Sequence, residues 1–167
     1  IDDLLNKVQK LPKDWFDLEL LEKHLTPEQR AELMKAGSLE ELMKMLDGRE
    51  DDMIALRRHF HEHPELSFDE KETAAFIARF YENKSVDVQT NVGNGYGIIV
   101  TIKGNKPGRT IALRADFDAL QIEEQTGLPF ASKNHGVMHA CGHDGHTAYL
   151  MILADCLIRL RDQWEGT

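Results

Sequence analysis

The sequence predicts an α/β fold preceded by a small all-helical segment, and three observations carry that prediction. The first fifty residues hold helix starts and stops but no strand pattern. Two β-branched runs and one alternating run then lie between helix-patterned stretches. The resulting order of helix, helix, strand, strand, strand, polar loop and helix suits helices packed on a sheet, an α/β sandwich. The boundary falls near residue 50, giving a helical extension over 1–50 and an α/β portion over 51–167.

In the extension, Trp15, Phe16, Leu18, Leu20, Leu21 and Leu25 form an apolar helical stripe over about 14–24. Thr26-Pro27-Glu28-Gln29 opens a second helix, with Thr as N-cap and Pro at the first helical position, and Gly37 closes it. Ser38-Leu39-Glu40-Glu41 opens a third by the same logic, ending at Gly48. Residues 51–62 read as a charged amphipathic helix broken by His63-Pro64. Ser67-Phe68-Asp69-Glu70 forms a capping box for a helix running to Tyr81. Strands are expected at 86–90, 96–102 and 110–115, with the Gly104-to-Gly108 turn between the last two. Thr147 to Leu160 is an apolar helix in which Cys156 is core packing.

Composition is that of a globular protein, 41% hydrophobic and 29% charged. No run of about 18 apolar residues is present, so no transmembrane helix is expected. Ile1-Asp2-Asp3 lacks the basic flank and apolar core of a signal peptide. Two Cys in dissimilar settings do not make a disulfide framework, and a reducing, cytoplasmic location is expected. Net charge is −9, and residues 1–52 carry 14 acidic against 8 basic residues. That balance argues against nucleic acid and against anionic membrane as partners.

The chemistry is concentrated in His139-Ala140-Cys141-Gly142-His143-Asp144-Gly145-His146. A thiol and several imidazoles spaced by glycines suit a divalent-metal site. Cys141 and His143 fall on the turn entering the last helix, where free N–H groups favour a thiolate. One small residue separates them, so both can converge on one cation. His139, His146 and the more distant His135 fall outside this pair. Asp116 and Asp118 would share one face at the end of the 110–115 strand. One of them could accept a hydrogen bond from a ligand imidazole. The competing reading is a plain turn after the strand.

Three stretches together resemble the M20 family of amidohydrolases, with the N-acyl-amino-acid, hippurate and auxin-conjugate hydrolases as the nearest subgroup. They are Arg57-Arg58-His59-Phe60-His61-Glu62-His63-Pro64-Glu65-Leu66-Ser67-Phe68, with Glu70 and Thr73; Ala112-Leu113-Arg114-Ala115-Asp116-Phe117-Asp118-Ala119-Leu120; and Met138-His139-Ala140-Cys141-Gly142-His143-Asp144-Gly145-His146-Thr147-Ala148. Gln121 stands where the second stretch usually has Pro. The resemblance implies amide-bond hydrolysis on an α/β catalytic domain with two divalent ions (Zn, Mn, Co or Ni). It implies Cys141 and His143 as metal ligands, and Asp118 as a residue that orients or tunes a ligand. It also implies that the paired glutamate supplying the general base, the remaining histidine ligands and an inserted dimerisation domain follow Thr167. On that expectation the chain is the N-terminal part of a catalytic domain, inactive alone. Its partners would be a small amide substrate and the remaining part of the domain, from the same gene or another chain, with self-association allowed. The alternative from a different class is a non-catalytic metal-binding or interaction module whose site is closed locally by His139 or His146.

Overall fold

The computed structural model describes residues 38–167. The helices expected over 14–24 and 26–37 lie outside the described residues. A division between compact units falls at Leu39/Glu40, and the unit that follows is Glu40–Thr167.

Helix α1 spans Ser38–Asp47 and stops at Gly48, whose N–H closes the last turn onto the Lys44 carbonyl at 3.2 Å. Helix α2, Glu50–Glu62, has three acids in its first turn, favourable to the helix dipole. Helix α3 spans Lys71–Tyr81, β1 Asp87–Val92, β2 Gly97–Thr101 and α4 His143–Arg159. A single 3₁₀ turn, Arg161–Gln163, follows.

α2 packs on α4, and the antiparallel hairpin β1–β2 packs on α3. Phe60, Ile77, Tyr81, Ala148 and Met151 form the buried core, with Val88, Ile98 and Val100 of the hairpin laid against it. Val88 pairs directly with Val100, so two β-branched residues meet on the inner face. Ile99 points the other way and is exposed. The register slips between Gln89 and Val92, where Asn91 adopts φ 58°. Burial raises the Tyr81 phenol far above its usual pKa.

Two expectations are corrected. Ser67 does not cap α3, which begins at Lys71, and Glu70 makes no side-chain cap. Phe68 lies in the left-handed region (φ 71°), so helical backbone cannot start at Ser67. The carboxylate of Glu65 caps the helix instead, accepting from Glu72 N–H at 3.1 Å and Thr73 N–H at 2.7 Å. Residues 110–115, in turn, join no sheet: the two-stranded sheet contains only β1 and β2, and Ile111 and Leu113 are 74% and 55% exposed. β-branched composition prefers extended backbone, but a strand exists only beside a hydrogen-bonding neighbour. Among the described residues the neighbour is the chain end, which pairs with Gly104–Ile111: Gly104 N–H to Gly166 O at 2.9 Å and Ile111 N–H to Thr167 O at 2.9 Å.

Three isolated contacts bring distant segments to the start of α4. Ala119 N–H donates to Glu65 O at 2.7 Å, and Leu66 pairs with Ala119 in parallel fashion. Leu120 and Met138 exchange both backbone hydrogen bonds, at 3.0 and 2.9 Å. Thr147 Oγ1 donates to Asp116 O at 3.0 Å. Asp118 is thereby stitched between the Glu65–Ser67 turn and the loop that enters α4.

Candidate metal centre

Gly142 precedes α4 with φ 89°, a left-handed conformation that glycine adopts without Cβ strain. It accepts from Gly145 N–H at 3.0 Å and His146 N–H at 3.2 Å, so the helix starts at His143, earlier than the apolar pattern from Thr147 indicates. Cys141 lies just outside the helix, exposed and free; Cys156 is fully buried in α4, where burial pushes its thiol pKa up.

His143 is half-buried, and its Nδ1 lies 3.0 Å from Asp118 Oδ1 and 3.0 Å from Asp118 O. Both partners only accept, so Nδ1 carries the hydrogen. In the neutral imidazole this leaves the lone pair on Nε2, the form that binds a metal. Asp118 is held in turn by Ser67, whose Oγ donates to Oδ2 at 2.5 Å. The Ser67 hydrogen bond, helped by its own backbone and by His143, keeps the Asp118 carboxyl below its ordinary pKa despite partial burial. Of the two aspartates, Asp118 and not Asp116 lies within hydrogen-bond distance of His143. Asp116 pairs with Arg114 at 2.7 Å on the surface.

Behind the first turn of α4 stands a buried network that sequence reasoning missed. His61 Nδ1 donates to Asp144 Oδ2 at 2.7 Å, and its Nε2 lies 3.3 Å from Glu124 Oε1. Arg57 Nε reaches the same Asp144 oxygen at 3.3 Å, and Gly145 N–H donates to Oδ1 at 2.9 Å. The Asp144 hydrogen bond outweighs burial and raises the His61 pKa. Burial alone would raise the Asp144 pKa, but His61, Arg57 and Gly145 N–H together hold it low. The available signal was the spacing of Arg57 and His61, one helical turn apart on α2 and able to reach one acceptor.

The other histidines do not converge on this point. His139 is 5% exposed, its Nδ1 is buried without a hydrogen-bond partner among the described residues, and burial lowers its pKa. The His146 ring lies 6.1 Å from that of His143. His135 is fully exposed, 3.6 Å from Glu123. Among the described residues no three His, Cys, Asp or Glu side chains are grouped to hold a metal ion. A site closed locally by His139 or His146 is therefore not formed there. Cys141 and His143 stand two residues apart at the entry to α4, a soft thiol and an imidazole, donor types that suit a borderline divalent cation. Among the described residues no helix is long and apolar enough to cross a membrane.

The family model described as peptidase family M20/M25/M40 matches residues 112–167. The chain is 55% identical over 127 residues to YhaA of Bacillus subtilis, covering 76% of this chain and 32% of that protein. It is 45% identical over 127 residues to the N-acyl-L-amino acid amidohydrolase of Geobacillus stearothermophilus, covering 76% and 34%. The solved structure of Bacillus subtilis YXEP, described as a dinuclear metal-binding peptidase of the M20 family, aligns with a TM-score of 0.67 at 47% identity, over 72% of this chain and 34% of that one. The chain thus spans about a third of the length of the relatives it matches.

Proposed function

Because this chain belongs to peptidase family M20/M25/M40, we propose that it serves metal-dependent hydrolysis of the amide bond in N-acyl amino acids or related small conjugates. Cys141 and His143 are its contribution to a two-ion centre. The observation that carries this reading is the Asp118–His143 pair beside the exposed Cys141 thiol: an imidazole fixed in one tautomer, two residues from a thiol that forms no disulfide. A divalent pair held there would supply polarisation of the amide carbonyl and activation of water.

The residues of the chain have separate tasks in this scheme. Cys141 donates sulfur and His143 donates Nε2. Asp118 keeps the His143 proton on Nδ1, and Ser67 keeps Asp118 turned toward it. Asp144 is not the general base: it is 1% exposed and both its oxygens are engaged. A base must reach water, so that role belongs to another carboxylate. The likeness to an N-acyl-L-amino acid amidohydrolase supports the substrate class.

Zinc affinity of the protein, measured by competition with a chromophoric chelator, tests the ligand assignment. Cys141→Ser is expected to weaken zinc binding by about tenfold or more. Cys156→Ser should leave affinity unchanged while lowering thermal stability, because it buries a hydroxyl in an apolar site. Equal affinities in the two variants would refute the assignment of the thiol.

A further inference from the structure

We infer that His61 is a positioning residue for the metal-ligand turn: its buried imidazole, held between Asp144 and Glu124, fixes the first turn of α4 in the orientation that sets His143 against Asp118. The inference rests on the reading of Cys141 and His143 as metal ligands, but the geometry behind it does not.

Asp144 is the residue immediately after His143, and its side chain ties that turn to α2, beside the ties that His143 makes to Asp118 and Thr147 makes to Asp116. Its Oδ2 receives His61 Nδ1 at 2.7 Å and Arg57 Nε at 3.3 Å, both from α2. On the far side His61 Nε2 faces Glu124 Oε1, with the two side chains 5% and 4% exposed. Glu124 is itself anchored, accepting from Ser132 N–H at 2.6 Å and from the Thr126 hydroxyl. The ring of Phe130 meets His61 edge to face at 5.7 Å, closing the remaining side.

A buried group so fully partnered has little rotational freedom, and removing one member leaves another buried charge uncompensated. His143 is consequently gripped twice. Its ring is held by Asp118, and its backbone is held through the next residue by the α2 histidine. A metal ligand must be placed within about half an ångström to bind well, and neither grip alone specifies both the ring and the turn that carries it. His61 does not touch the ligand atoms; it acts through Asp144.

The test compares His61→Gln with Asp155→Asn, which disturbs a different buried ion network near the other end of α4. Two readouts are taken on the whole chain: the His143 imidazole tautomer from ¹⁵N NMR of the metal-free protein, and zinc affinity by chelator competition. His61→Gln should convert His143 from a single Nδ1–H tautomer to a mixture and weaken zinc binding by about tenfold. Asp155→Asn should change neither. An unchanged tautomer and affinity in His61→Gln would overturn the inference and leave the ligand assignment standing, and so would equal changes in both variants. If the tautomer responds but the wild-type chain binds no zinc, the ligand assignment by this chain falls and the positioning role stands. Should His61→Gln fail to fold, Glu124→Gln keeps the shape of the far anchor and must shift the same tautomer; no shift would overturn the inference.

Discussion

At Gly142 the backbone takes φ 89° with nothing within 4 Å of where a Cβ would stand. The requirement for glycine is therefore conformational and not steric crowding. Gly142→Ala should cost about 1 kcal/mol from the left-handed backbone alone. It should also weaken zinc binding, because relaxing φ there changes how Cys141 and His143 converge. Thermal melts and chelator competition check the two effects separately, and unchanged affinity would mean the turn geometry is not needed. The same scale shows what single residues disclose. Asp118 was visible as a carboxylate able to face a ligand imidazole, since its place at a segment end is a local property. That Ser67 serves Asp118 and that Glu65 caps α3 were not visible. Ser67 has the chemistry of an N-cap, and only the stitching of Ala119 to Glu65 brings Asp118 within its reach. His61 and Glu124 are 63 residues apart and share no sequence pattern, so their pairing is a product of packing.

Among the elements, α4 joins the site to the core, and Asp155 ties its C-terminal half to two other segments. This 3%-exposed carboxylate receives Lys84 at 2.5 Å, Arg49 at 2.8 Å and Arg159 at 3.1 Å. Burial alone would raise its pKa, but Lys84 and Arg49 outweigh burial and hold it below the ordinary value. A depressed pKa contributes stability above the unfolded value of about 3.9 and loses it as pH falls through the lower folded value. Asp155→Asn should lower stability at neutral pH by about 2 kcal/mol, since its cations are partly exposed and regain water. It should also flatten the loss of stability as pH falls below about 4. Urea titrations across that range measure both, and parallel curves for variant and wild type would refute the role. Helix α2, the end of α3 and the two strands were legible in the sequence because each carries its own periodicity or its own stop, but the pairing of β1 with β2 was not. The strand expected at 110–115 was not, because a strand depends on a neighbour that local composition does not reveal.

For the molecule as a whole, the question is which part of the chain the site depends on. The unit Glu40–Thr167 has its own core, built from α2, α3, α4 and the hairpin. Among the described residues, the groups around Cys141 and His143 come from within it: Ser67 and Asp118 on one side, Arg57, His61 and Glu124 on the other. The boundary expected near residue 50 therefore has a physical cost if taken literally. Arg49 is one of the cations on Asp155 and lies just ahead of α2, and α1 touches the chain end through Gln163 Nε2 to Glu41 at 2.9 Å. Removing residues 1–39 should leave zinc affinity and the acid stability profile as they are. Removing residues 1–50 should leave the metal ligands in place but lower stability by about 1–2 kcal/mol through the lost Arg49 ion pair. Affinity titrations and urea midpoints on the two truncated chains separate these expectations. A loss of zinc binding on removal of 1–39 would refute the expectation that Glu40–Thr167 carries the metal ligands by itself.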